Sequence, residues 1–171
     1  MSSCKHCDEV KNGNKIFEDD KVVAVLDPNP VSLGHVIVMP KDHFPIIEQV
    51  PDYIVSHVFE IVNKISIHLF EALKLQGTNI LVSNGIPAGQ EQPHFAVNII
   101  PRKQNDGIDF QWEPKQLSEE EMSTVELELK DNSKVVGEFE KEKTVPIKQE
   151  EAKTISDDKD SYLIKQLRRI P

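Results

Sequence analysis

The row Gln90-Glu91-Gln92-Pro93-His94-Phe95-Ala96-Val97-Asn98-Ile99-Ile100-Pro101-Arg102 holds the residue types best placed for chemistry. Read as a strand, it alternates. His94, Ala96, Asn98 and Ile100 fall on one face; Phe95, Val97 and Ile99 fall on the other. The preceding Asn84-Gly85-Ile86-Pro87-Ala88-Gly89-Gln90 is a loop of turn residues and polar donors. A polar row beside such a loop suits a phosphate-handling site, yet its central residue, Ala96, has no chemistry. A second group is Cys4-Lys5-His6-Cys7, which holds both cysteines of the chain at C-x-x-C spacing. Two thiolates three positions apart can grip one soft cation. A redox pair is the other use, although no strand–CxxC–helix pattern surrounds Cys4.

Residues 1–110 read as one globular unit that positions these groups. Lys15–Glu18 and Val22–Leu26 are short β-rich runs, with a hairpin turn expected at Asp19-Asp20-Lys21. Asp27-Pro28-Asn29-Pro30 breaks the chain, and 34–39 is a further apolar strand stopped by Pro40. From Pro51-Asp52 a long helix is expected. Ile54, Val58, Ile61, Ile65, Leu69 and Leu73 recur at spacings of three and four, and Gly77 is the expected stop. His57 and His68 ride on this helix as surface or boundary residues. Two more strands are expected at 78–83 and 94–100. About five short strands around one long helix make an α+β domain with an antiparallel sheet.

The chain has 171 residues, enough for one ordinary domain and an appendage, and a net charge of -9. That charge excludes a nucleic-acid backbone as a natural partner. No apolar run approaches a membrane span, and the N-terminus lacks the apolar core of a signal peptide. A cytoplasmic location is the expectation. Beyond residue 110 the chain is denser in charge. Residues 111–140 read as a partly helical extension, opened by Ser118 with a capping-box Glu121 and compromised by Asn132 and Gly137. Residues 141–159 read as a charged linker. Residues 160–171 form a short amphipathic segment through Tyr162, Leu163, Leu167 and Ile170, expected to dock on the domain or on a partner subunit.

Four stretches together resemble the histidine triad (HIT) superfamily, in its zinc-containing branch. They are Cys4-x-x-Cys7; Ile16-Phe17-Glu18-Asp19-Asp20 leading to Leu26-Asp27; the run from Gly34-His35 to Pro40-Lys41-Asp42-His43; and the loop-strand from Asn84 to Arg102. The superfamily is named for His-φ-His-φ-His-φ-φ, with φ apolar; here the register reads His94-Phe95-Ala96-Val97-Asn98-Ile99-Ile100. The resemblance implies that the middle histidine is a nucleophile toward the α-phosphate of a nucleotide. Ala96 stands there, and Asn98 stands at the assisting third position. A methyl group supplies no electron pair, and an amide cannot shuttle protons near neutral pH. The triad is degenerate, and loss of the usual activity is expected.

The resemblance also implies a zinc site of Cys4, Cys7, His43 and His94, with His6 an alternative to one of the histidines. It places Asp27 at the ribose hydroxyls, and Asn84, Gly89, Gln90, Asn98 and His35 around the phosphate. Ile16, Phe17 and Val25 would wall the base. Glu91 stands where an anion would be repelled. Three readings follow. The first is a protein that binds a purine mononucleotide such as AMP or GMP, or a dinucleotide, without hydrolysing it. The second is an active nucleotidyl hydrolase or transferase using another base, with His35 nearest. The third is a zinc-stabilised interaction module that uses its charged tail. A two-fold homodimer is implied as well.

Overall fold

The computed structural model describes residues 4–143, and the expected α+β class holds. In chain order come α1 (Lys5–Asn12), β1 (Lys15–Glu18), β2 (Val22–Leu26), β3 (Val36–Pro40), α2 (Asp52–Leu73), β4 (Gly77–Leu81), β5 (Val97–Arg102) and α3 (Glu119–Asn132). The strands form one antiparallel sheet in the order β1-β2-β3-β5-β4. Residues 144–171, which include most of the expected linker and the whole amphipathic segment, lie outside the described residues.

The two faces of the sheet have different covers. On one face α2 lays Ile54, Val58, Ile61, Val62 and Ile65 against Val22, Ala24, Val36, Val38, Phe95, Val97 and Ile99. This is the main core, and each fully buried aliphatic side chain there contributes about 1.5–3 kcal/mol. On the other face Val23, Val25, Ile37 and Met39 form a smaller cluster, met by Val10 of α1 and by Ala96. The alternation expected along the chemical row is therefore present. Phe95, Val97 and Ile99 enter the core, while Ala96 packs on the opposite side.

Boundaries differ from expectation at β5 and at the end of α2, each for a local reason. Regular strand begins at Val97 rather than His94. Before it, the His94 N–H donates to the Gln92 carbonyl and the Phe95 N–H to that of Phe44, so these two backbone N–H groups bond to loops and not to β3. The long helix ends at Leu73 rather than running on to Gly77. Lys74 takes a left-handed conformation at φ 50°, and its N–H donates to the Phe70 carbonyl. Gly77 instead opens β4. The helix expected after Ser118 forms as α3, with the reciprocal capping box to Glu121, and it stops at Asn132.

The hairpin turn expected at Asp19 forms with the carboxylate in charge. Asp19 Oδ1 accepts the N–H groups of Lys21 and Val22, both at 2.8 Å, and Oδ2 lies 2.6 Å from His57 Nε2 on α2. Burial alone would raise the Asp19 pKa, but the two backbone N–H groups and His57 together hold it below its ordinary value of 3.8. A lowered carboxylate stabilises the fold above its unfolded pKa, and that contribution is lost as pH falls through the folded value. Asp19→Ala is thus expected to cost about 1–2 kcal/mol near neutral pH, from two lost backbone hydrogen bonds. The deficit should shrink below about pH 4. Urea titrations of both proteins at pH 7 and pH 3 check this; an equal deficit at both would refute it.

Candidate functional site

The C-x-x-C segment opens α1, with Cys4 at its N-cap and Cys7 in its first turn. The sheet brings two histidines to it. His43 follows β3, and His94 precedes β5 in a fully enclosed position, 1% exposed. Cys7 Sγ lies 3.2 Å from His43 Nδ1 and 3.5 Å from His94 Nδ1; Cys4 Sγ lies 3.8 Å from His94 Nδ1. All four donor atoms lie within 4.8 Å of one another. At metal–sulfur and metal–nitrogen lengths of about 2.3 and 2.0–2.1 Å, tetrahedral donors stand roughly 3.3–3.8 Å apart. The cluster is therefore able to hold one tetrahedral cation.

Its second layer is also in order. His94 Nε2 lies 3.0 Å from the Pro40 carbonyl, which can only accept, so Nε2 carries the proton and Nδ1 turns its lone pair to the thiols. Burial holds the His94 pKa below its ordinary value, which keeps the ring neutral and able to ligate. Burial first, then the hydrogen bond and charge of the adjacent Cys4, push the Cys7 thiol up, a cost to the thiolate that a divalent cation would reverse. His6 does not join the cluster; its Nδ1 lies 2.8 Å from Glu9 Oε2.

Beside this cluster is a cleft of about 370 Å³, walled by α1, by the Asp27–Val31 turn after β2, and by the loop from Ser83 to Gln92. Ala96 and Asn98 form part of its floor. Asp27, His35 and Asn98 make a chain beneath it. His35 Nδ1 lies 3.1 Å from Asp27 Oδ2, and His35 Nε2 lies 3.0 Å from Asn98 Oδ1. The Nδ1 contact lacks hydrogen-bond alignment. His35 is 5% exposed, so its ring props Asn98 from below and presents no free edge to the cleft. The contact leaves the Asn98 NH₂ as a donor. Asp27 Oδ1 accepts the Asn29 N–H at 2.7 Å, and each carboxylate oxygen keeps a lone pair for another donor.

The loop residues divide. Gly89 lines the cleft at φ 85°, a conformation that favours glycine. Gln90 lines it too, but its amide is engaged. Oε1 accepts the Gly85 N–H, and Nε2 donates to the Pro45 and Gln92 carbonyls. Asn84 is not among the lining residues. Its Nδ2 donates to both Glu48 oxygens and its Oδ1 accepts the Ile47 N–H, which ties the loop to the segment before α2. The sequence reading placed Asn84 at the phosphate; in the structure its amide fastens the loop from outside. That reading also left out Lys5, His6 and Glu9 of α1, all of which line the cleft. The signal was present as charged and imidazole residues within and just after the C-x-x-C turn, but it needs the fold to give it a direction.

Comparison with known proteins agrees with this architecture. A family model described as HIT domain matches residues 8–105. Among curated proteins, the chain is 36% identical over 109 residues to the adenylylsulfatase HINT3 of Arabidopsis thaliana. That match takes in 62% of this chain and 55% of the relative, so the chain spans about half the relative's length. A HIT family protein from Bacillus anthracis superposes with a TM-score of 0.70 at 31% identity, covering 77% of this chain and 97% of that one. A Zn-bound histidine triad family protein from Mycobacterium smegmatis does so with a TM-score of 0.59 at 26% identity, covering 77% and 97%.

Proposed function

The chain belongs to the HIT domain family, and from that premise we propose that it binds a nucleotide in a metal-braced cleft without the covalent chemistry of a complete triad. One observation carries the reading. Ala96 and Asn98 line the cleft at the two reactive triad positions, while His94, which also lines it, has Nδ1 committed to the cysteine cluster and Nε2 to the Pro40 carbonyl. A covalent nucleotidyl transfer needs an imidazole electron pair at the centre, and Ala96 has none. Asn98 retains a donor for a phosphate oxygen.

Zinc is the metal this reading assigns to Cys4, Cys7, His43 and His94. The set is Cys2His2, which fills all four positions of a tetrahedral ion, as in structural zinc sites. Bound there, zinc would supply folding free energy. Asp27 is the group suited to a ribose cis-diol, since both its oxygens can still accept. Gly89 lets backbone approach the phosphate, and Asn98 donates to it. An enzymatic reading with His35 as base has less support, because both its ring nitrogens face Asp27 and Asn98. Cysteines used as zinc ligands need a reducing compartment, which favours the cytoplasm. Among the described residues no helix is long and apolar enough to cross a membrane.

Calorimetry of the zinc-loaded protein with AMP, GMP and adenosine tests the reading; absence of heat at millimolar ligand would remove it. The reading also includes a homodimer. β4 is a sheet edge, with Ile80 and Leu81 exposed on it, and an open edge offers unpaired backbone groups to a second copy. Light scattering is expected to give a dimer for the wild type and a monomer for Ile80→Asp. A dimer of unchanged affinity in the variant would count against this interface.

A further inference from the structure

The cleft presents an electrostatic problem to an anionic ligand. Its lining carries three carboxylates, Glu9, Asp27 and Glu91. Two of the three amides expected to meet a phosphate are engaged, with Gln90 holding its own loop and Asn84 bonded to Glu48 outside the cleft, and the third, Asn98, keeps its NH₂ but brings no charge. His6 is paired with Glu9, and His94 faces the cysteines and Pro40. One permanent cation remains in the lining, Lys5, and among the described residues its ammonium has no carboxylate partner. We propose that Lys5, carried on the metal-held helix α1, is the phosphate-recognising cation of this cleft. The inference rests on the nucleotide-binding reading and deepens it.

Position supports the proposal as well as charge. Lys5 lies between the two cysteines, so any cation bound by Cys4 and Cys7 fixes its backbone on both sides. Its N–H donates to Gln92 Oε1 at 3.2 Å, which ties it to the loop that closes the cleft. α1 has little else to hold it, for it buries no residue and rests on the sheet through a half-buried Val10. An isolated helix this short is not stable in water. Phosphate recognition is thereby coupled to the metal cluster through a single residue. The long lysine stem lets the ammonium follow a phosphate as a point charge and needs no fixed fork of donors.

The test is calorimetry of zinc-loaded wild type and Lys5→Gln with AMP and with adenosine. Lys5 is exposed, so the substitution leaves the core intact. The expected result is an AMP affinity about 10-fold weaker in the variant with adenosine affinity unchanged, the signature of one lost charge-assisted contact to phosphate. The loss should shrink as salt is raised, and Lys5→Arg should restore most of the affinity. Equal AMP affinity in wild type and Lys5→Gln would overturn the inference and leave the nucleotide-binding reading standing. Equal weakening of AMP and adenosine would also overturn it, because the defect would then be in the cleft as a whole. Wild type that binds neither ligand would overturn both.

Discussion

If zinc fills the four-donor cluster as proposed, stripping it is expected to lower the unfolding midpoint by about 10 °C. A ligand that binds only the folded state stabilises it by about 4 kcal/mol when its free concentration is a thousandfold above Kd. For a chain of this length, each kcal/mol moves the midpoint by roughly 2–4 °C. The loss should begin locally. α1 buries no residue and is too short to hold itself, whereas the main core between α2 and the sheet contains none of the four donors. Chelation should therefore expose α1 amides to hydrogen exchange before those of β2, β3 and β5. Cys7→Ser is expected to reproduce the shift, since Cys7 approaches both histidines. Thermal melts with and without chelator, on protein with stoichiometric zinc by metal analysis, decide it. A midpoint that ignores chelation would sink the structural-zinc assignment.

On the proposed reading, Ala96→His is expected to raise nucleotidyl activity, with release of AMP from an adenosine phosphoramidate at least about 100-fold above the wild-type rate. Removing a nucleophile from a covalent mechanism costs several orders of magnitude, and restoring it should return part of that. The geometry permits the substitution. Ala96 is half-buried on the cleft floor, so an added imidazole extends into open volume and away from the α2 core. The contact between His35 and Asn98 is kept, so the floor beneath the new ring is unchanged. Steady-state turnover with purified proteins measures the effect. Wild type that already turns over as fast as the variant would show that another group serves as nucleophile, and the degenerate-site reading would fall.

Much of this was legible along the chain because periodicity reports burial. The alternation from Phe95 to Ile99 and the spacing of Ile54, Val58, Ile61 and Ile65 name the two surfaces of one core. The four metal donors could be named from the resemblance, and the fold brings them together. What stayed hidden was the use of polar side chains. Asn84 reads as a phosphate ligand in sequence, but its partner Glu48 is thirty-six positions away, and only the folded loop shows the amide to be taken. Lys5 and Glu9 stayed hidden for the converse reason. They sit in a short, polar helix without an apolar stripe, so no pattern in the sequence says which way α1 faces. The end of α2 at Lys74 was missed because a lysine can adopt the left-handed turn expected of a glycine.

The two-sided packing around β5 has a consequence for what this molecule tolerates. Its folding information sits on Phe95, Val97 and Ile99, and its reactive positions sit on the residues between them. The main core beneath α2 does not include position 96 or 98; Ala96 touches only the smaller cluster on the opposite face. Reactivity and foldability are thus separable quantities in one short stretch of chain. A protein built this way can fall silent as a catalyst while remaining intact as a scaffold, and the same partition leaves the silent positions open to be rewritten.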